Sequence, residues 1–580
     1  MKEKFKKLNY ALFAAKPGDG DVQPKEGWAY SIAGFGQNFI CTIIGSYLTV
    51  FMTDALGFDI NAKVGALTGV VAVAVLMLVT RMFDAFNDPI MGSIVDKTRT
   101  KWGKCRPYLK WMAIPIGITT IACFLPIYTT DTRGFITLSL VYVVWSVVYT
   151  VADVPYWGLT SCMTNNTEKR ASLLTVARLL CTIGAGIVTV FVPIITDYVT
   201  KPYKYDAFAV RVPGSSEVIT GEAAKEFLTS STNFLGQETW ALKAGLEEQG
   251  YKLMEGLLNP AFAAQNQETL KWTYFIICAV LVVIAIPLFF VGFKGTTERH
   301  GAIDPKKVPS MKHNLKLLFK NDQLMLIVLS GVLGGARMVY TYTGGLYFCK
   351  YALQNESAYS LLTMLVIPGG LIASVLTPWL SKKFTKKWTY IGTHIIGAIA
   401  MVVMFFMWDF NLGTFKPGGI TVVVVCMLFI GLPQGINNIM TYAMIGDTIE
   451  YLEWKTGERG EGICFAMQTL INKIGMAVGA FIGVIAYAMA GISPSNPEGS
   501  MTVEGLNKLW LMLVLSGALS FIACIIPMFF YKITEKKQKE YVAIIEARKA
   551  KAAAAKAAAA RNAGMRPMGV RPANRVVVKR

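Results

Sequence analysis

Three acidic and four basic side chains stand inside long apolar stretches of this sequence. Each embedded charge costs roughly 2.5–3.5 kcal/mol on membrane-insertion scales, so each needs a partner or a water-filled cavity. The stretch RMFDAFNDPIMG carries Arg81, Asp84 and Asp88. Asp84 and Asp88 are four residues apart and stack on one face of a helix, with Arg81 one turn before Asp84. Two carboxylates on one face repel when both are ionised, unless a cation sits between them. Such a pair is strained when empty and relieved by Na⁺ or a proton, and its oxygens suit a hard cation. The same residues also fit a structural ion-pair network that locks helices together, a role open to Arg81. A second stretch, YTVADVPYWGL, offers Thr150, Asp153 and Trp157 at helical spacing. A carboxylate that accepts hydroxyl hydrogen bonds beside an indole face can hold a sugar, whereas Trp157 alone also reads as an interfacial anchor. Arg178, Arg337 and Lys473 complete the set, so simple pairing leaves one cation over. A sugar hydroxyl, an anionic substrate or snorkelling toward the interface would accommodate it.

The elements that position these groups follow from composition. The chain has 580 residues, 53% hydrophobic and 16% charged, with a mean hydropathy of +0.44. A soluble domain carries about 25% charged residues. Apolar runs long enough to cross a hydrocarbon core of about 30 Å recur almost to the C-terminus. Twelve spans are expected, at 28–53, 63–95, 107–127, 134–162, 172–199 and 270–293, then 321–349, 357–381, 388–409, 418–446, 461–490 and 505–531. The fold class is an all-α membrane protein, with twelve transmembrane helices in two six-helix bundles. Basic loops (DKTRTKWGKCR at 96–106, the connection 294–320, SKKFTKK at 381–387) alternate with nearly uncharged ones such as 129–134 and 409–419. By the positive-inside rule the basic set and both termini face the cytosol of a plasma-membrane protein.

The domain reading is a lead-in at 1–27, a first bundle at 28–293, a cytosolic connection at 294–320, a second bundle at 321–531 and a basic tail at 532–580. The short apolar run before Ala15 has no cleavage site after it, so the lead-in reads as cytosolic. A polar insertion, Thr200 to Glu268, interrupts the first bundle on the outer face between spans five and six, with helix-like stretches at 221–229 and 239–258. It reads as a cap, a docking surface or a passive insertion. The net charge is +20, and the tail alone holds fourteen Lys/Arg against three Glu. Beside a membrane such a tail attracts anionic lipid headgroups rather than nucleic acid. It is Ala/Lys-rich and expected to be helical only intermittently. Ten scattered cysteines and three histidines show no CxxC pair and no metal-ligand spacing. No cofactor is expected beyond a coupling ion, Na⁺ or H⁺.

The segments RMFDAFNDPIMGSIVDKTRTKWGKCRPY, YTVADVPYW and GDTIEYLEWKTGERGEGICFAMQTLINK resemble the glycoside–pentoside–hexuronide:cation symporters, the melibiose-permease-like branch of the major facilitator superfamily. The resemblance covers all twelve spans but neither the insertion nor the tail. It implies a central cavity between two bundles and alternating access. It matches Asp84 and Asp88 to the cation-site carboxylates, with Thr150 as a neighbouring oxygen ligand and Asn87 of the same motif beside them. It matches Asp153, Trp157, Tyr149 and Arg178 to sugar-site positions and Lys473 to a lysine near both sites, with Gln468 on the same helix. This sequence departs from the pattern in the first span, where GFGQNFI places Gln37 and Asn38 at positions charged in melibiose permease. It departs again in the tenth, where Asn438 replaces a tryptophan. Both changes put melibiose-type specificity in doubt.

The expected function is cation-coupled import of a sugar or glycoside, by a chain that works as a monomer. Rival readings are a lysolipid or amphiphile carrier of the same fold and a non-transporting membrane sugar sensor. An enzyme is disfavoured, because no HExxH, GxSxG or paired-Cys signature is present.

Overall fold

In hydrocarbon every backbone N–H and C=O must find its partner within the chain, so long apolar runs fold as helices. The computed structural model describes residues 7–562 apart from 8, 18–20, 165, 205–207, 214–217, 221, 233–237, 256–259, 300–310, 342, 354–357, 459 and 492–501. The first half contains the helices Pro24–Ala55, Gly69–Lys97, Arg106–Cys123, Thr132–Met163, Thr167–Lys204 and Pro260–Gly295. A short helix, Met311–Lys320, precedes the second half. There the seventh span is interrupted: Asp322–Leu333, a 3₁₀ segment Gly335–Thr341, then Thr343–Tyr347 and a π-helical turn Phe348–Ala352. Spans eight and nine lie within Ala358–Met364 and Val366–Phe406, broken at Thr385. Spans ten to twelve are Gly419–Thr456, Glu461–Met489 and Val503–Phe529.

Among the described residues nine helices are long and apolar enough to cross a membrane. The three other expected spans coincide with Gly69–Lys97, which carries the embedded charges, with the 18-residue Arg106–Cys123 and with the interrupted seventh. The outward faces are apolar: Ile118, Leu140, Val283, Val375 and Leu519 are all exposed. That pattern belongs to a helix set solvated by lipid, since a water-soluble protein does not expose apolar area on this scale. Helix ends are closed locally. Asp131 accepts the Gly134 N–H at 2.7 Å and Asn321 accepts that of Leu324 at 3.2 Å. Spans eight and ten approach through Gly369 and Gly370 against Gly431 and Gly435, where a methyl group on Gly435 would enter the Gly370 carbonyl. Such close approach is how membrane helices gain packing contact without a hydrophobic driving force.

The insertion differs from expectation. The flanking helices reach Lys204 and resume at Pro260, so it is shorter than 200–268. Its secondary structure is mainly β: a three-stranded antiparallel sheet of Phe208–Arg211, Val218–Thr220 and Lys252–Glu255, and a hairpin of Leu228–Thr232 with Glu238–Leu242. Among the described residues, only Glu222–Lys225 is helical within the expected 221–229. The described part of the stretch 239–258 fails as a helix because Gly245 and Gly250, at φ of 84° and 87°, turn the chain between two strands. Side chains Leu228 and Leu242, paired across the hairpin, alternate with polar neighbours in the period of a half-covered strand. The tail also differs, forming one continuous helix from Glu535 to Asn562.

Candidate functional site

The second span brings its charges inward: Arg81, Asp84 and Asp88 are all buried. Each carboxylate has a partner. Asp84 accepts the Ser146 hydroxyl from the fourth span, and Arg81 Nη1 lies 3.5 Å from its other oxygen. Asp88 accepts the Lys473 ammonium from the eleventh span at 2.7 Å. The expected repulsion between the two carboxylates is therefore answered in this state by two protein cations. A buried ion pair is costly to break from one side, because the abandoned charge stays in low dielectric. Two polar atoms beside these groups have no hydrogen-bond partner among the described residues: Thr150 Oγ1, one turn beyond Ser146, and Asn87 Nδ2, next to Asp88. Of the two, only Thr150 Oγ1 is an oxygen of the kind a small hard cation takes; Asn87 Nδ2 is a hydrogen-bond donor.

A second cluster forms around Asp153 in the fourth span. Its Oδ1 accepts Gln37 Nε2 at 2.5 Å and Trp157 Nε1 at 3.0 Å. Gln37 Nε2 also lies 3.4 Å from the Tyr149 hydroxyl, while Gln37 Oε1 is buried without a partner. The Arg178 guanidinium sits over the Trp157 ring, 4.1 Å from its centroid, and donates to the Tyr442 hydroxyl of the tenth span. Polar groups of the kind that can hydrogen-bond a sugar edge thus stand beside an aromatic face of the kind that can take its apolar side. The structure brings Gln37, Tyr149, Asp153, Trp157 and Arg178 together. Asn38 is turned away, its amide donating to the Gly34 carbonyl of its own helix at 3.0 Å. Gln468 donates to Asn472 at 3.3 Å and lines a separate cavity in the second half. The side chain of Asn438 lies outside the described residues.

Sequence reasoning missed Tyr442 and, on the insertion side of the molecule, a buried tie between the halves. There the Lys350 ammonium pairs with Asp54, whose Oδ2 also accepts the Tyr351 hydroxyl at 2.9 Å. The Thr53 and Tyr347 hydroxyls are 2.6 Å apart, and the Tyr347 ring stacks on Tyr487 at 4.4 Å. Ser360 adds a hydrogen bond to the Val190 carbonyl at 2.7 Å. A signal was present: FMTDAL at 51–56 and FCKYAL at 348–353 end the first and seventh spans alike, and both end in π-helical turns. Widened turns of this kind recur at functional positions.

One cluster arose that spacing did not suggest. The Cys105 and Cys162 sulfurs are 3.8 Å apart beside Glu298, and all three could reach one metal ion. The Glu298 carboxylate is already engaged, accepting the N–H groups of Lys104, Cys105 and Arg106 at 2.7–2.9 Å. It thereby fastens the chain after the sixth span to the start of the third.

Two helical halves with a polar, charged cluster buried between them define a polytopic membrane transporter, not an enzyme. The chain belongs to the MFS/sugar transport protein family, whose model matches residues 29–535. It is 25% identical to the isoprimeverose transporter of Lactiplantibacillus pentosus, covering 91% of this chain and 92% of that protein. It is 23% identical to the glucuronide carrier protein homolog of Escherichia coli K12, covering 90% and 95%. The fold is shared with the crystal structure of a bacterial homolog of the human lysosomal transporter Spinster, with a TM-score of 0.54, 12% identity and coverage of 89% and 100%. These relatives agree with the resemblance read from the motifs.

Proposed function

We propose that this protein is a cation-coupled symporter that imports a sugar or glycoside by alternating access across a bacterial plasma membrane, with both termini in the cytosol. The observation that carries the proposal is the Lys473–Asp88 pair, which links the second and eleventh spans across the two halves. A Na⁺ ion or proton arriving among Asp84, Asp88, Thr150 and Asn87 makes Lys473 redundant as the counter-charge of Asp88. Lys473 is then released toward the Asp153 cluster, where the sugar is held. Cation and sugar therefore favour each other, and the coupling is reciprocal. The Asp54–Lys350 and Thr53–Tyr347 ties support a state closed on the insertion side, which the loop charges make the outer face. Relatives named for isoprimeverose and for glucuronides support a saccharide cargo. The monomer holds both clusters complete, and the basic tail is suited to lipid headgroups.

The test is uptake of labelled galactosides, glucosides, pentosides and hexuronides into membrane vesicles under a Na⁺ gradient, a proton gradient, or neither. Accumulation of one class under one gradient is the expected result. Uptake of none, with folded protein present, would turn attention to an amphiphile cargo.

A further inference from the structure

The Cys105, Cys162 and Glu298 cluster has no part in the proposed transport cycle. Both cysteines are 1% exposed, and their sulfurs stand 3.8 Å apart although 57 residues separate them in the chain. One ligand atom from each of the three side chains lies within 4.8 Å of the other two. A tetrahedral Zn²⁺ with Zn–S bonds of about 2.3 Å holds two sulfurs at about 3.8 Å. The thiols thus have the spacing of neighbouring ligands on one zinc ion. Simple contact between two sulfurs gives a similar distance, so the carboxylate decides between the readings.

Glu298 is fixed beside the sulfurs by backbone. Its Oε1 accepts the N–H groups of Cys105 and Arg106, and its Oε2 accepts that of Lys104. A carboxylate has about four acceptor positions, so three donors leave one, on Oε2. The loop can close round the carboxylate because Gly103 adopts a φ of 110°, and a side chain there would collide with Glu298. Cys162 is tied to the same segment, its carbonyl accepting the Arg299 N–H at 2.9 Å. Outer hydrogen bonds that orient each ligand are what a metal site needs beyond its donors. Two sulfurs with one carboxylate oxygen suit zinc, whereas Mg²⁺ and Ca²⁺ take oxygen alone. Ser161 is exposed, and its hydroxyl lies 3.9 Å from the Cys162 sulfur. That side gives an ion its entry path and a water molecule the fourth position.

We infer that Cys105, Cys162 and Glu298 form a zinc site that staples three segments of the first half: the start of the third span, the end of the fourth, and the chain leaving the sixth. The two thiols release their protons to solvent as the ion binds. In the proposed orientation the site lies on the cytosolic face, opposite the insertion. Disulfides rarely persist there, and paired cysteines more often bind metal. The ion joins side chains that the backbone bonds of Glu298 and Arg299 already bring together. It thereby stiffens the point where the chain departs for the second half.

The experiment uses the purified full-length protein, reduced and stripped with a chelator, with Co²⁺ as the spectroscopic probe. The expected result is a sulfur-to-cobalt charge-transfer band with the visible bands of a tetrahedral ion, saturating at one ion per chain. Zn²⁺ should displace the cobalt and raise the melting temperature. Cys105→Ser and Cys162→Ser should each weaken binding by at least about tenfold, the least that loss of an outer-shell partner costs. Glu298→Gln keeps a carbonyl oxygen for the N–H groups and should weaken binding while the protein stays folded. Cys123→Ser, elsewhere in the first half, should leave the spectrum unchanged. A folded, reduced wild type without the charge-transfer band overturns the inference, as does a band that survives in both cysteine variants. A Cys105–Cys162 disulfide in protein whose thiols are blocked at lysis overturns it in favour of a redox pair. Each of these outcomes leaves the saccharide reading as it stands.

Discussion

The Lys473 ammonium lies 2.7 Å from the Asp88 carboxylate, although the two residues are 385 positions apart and belong to opposite halves of the chain. In low dielectric this pair does two things at once. It neutralises a carboxylate that would otherwise need a cation, and it ties the second span to the eleventh. Removing either partner strands the other charge, at a cost of about 3–5 kcal/mol for a buried pair. Asp88→Asn and Lys473→Gln should each lower the thermal stability of the detergent-solubilised protein by several degrees. The double variant should recover most of the loss. Additive losses in the double variant would show that the two residues act independently.

The tie on the insertion side is a second pair of this kind, between Asp54 and Lys350. Lys350→Gln strands the buried Asp54 carboxylate, at a cost of about 3–5 kcal/mol to the closed state, and should shift the population toward an outward-open state by about tenfold or more. Tyr487→Cys, placed at a position buried in this state, should then react faster with a membrane-impermeant maleimide. Equal reaction rates with and without Lys350→Gln would remove the pair from any gating role.

Much of this arrangement was legible in the sequence. The length of the apolar runs placed the spans, and the insertion cost of charge singled out Asp84, Asp88, Asp153 and Lys473. What stayed hidden had physical reasons. Asp54 and Lys350 sit at span ends, where charge is ordinarily solvated, and only their approach across the halves makes them a buried pair. Tyr442 is one tyrosine among 24, and nothing local marks it as the partner of Arg178. Gln37 and Asn38 are adjacent, and one residue of rotation on a helix decides which reaches Asp153. In the insertion, composition suggested helix, whereas pairing across the hairpin and two left-handed glycines produced strands.

Trp157 touches both the acid and the base of the Asp153 cluster: its indole N–H donates to Asp153 and its face carries Arg178. Trp157→Ala should weaken glycoside binding by about tenfold, through lost stacking and cation–π contact. Cation affinity measured without sugar should change little. Titration calorimetry with each ligand separately makes the comparison, and an unchanged sugar dissociation constant would leave Trp157 as a membrane anchor.

On the opposite side of the first half, Asp21 accepts the Thr164 hydroxyl at 2.8 Å and pairs with Lys169 at 3.2 Å. Burial pushes the Asp21 carboxyl up, but the Thr164, Val22 and Lys169 donors together hold it below the usual carboxylate range. A carboxyl depressed in the folded state adds stability that is complete above its unfolded pKa and is lost as pH falls through the folded one. Asp21→Asn should therefore lower the melting temperature at neutral pH, and the gap to wild type should close as the pH is taken below the ordinary aspartate range. A gap independent of pH would show that the carboxylate charge is not what the variant removes.

The most direct measurement is labelled glycoside accumulation in proteoliposomes, comparing wild type with Asp84→Asn and Asp88→Asn under an imposed Na⁺ or proton gradient. The wild type should concentrate the sugar inside, above the external level. Each variant should only equilibrate it, while still exchanging labelled for unlabelled sugar. Concentrative uptake by both variants at the wild-type level would contradict coupling through these two carboxylates.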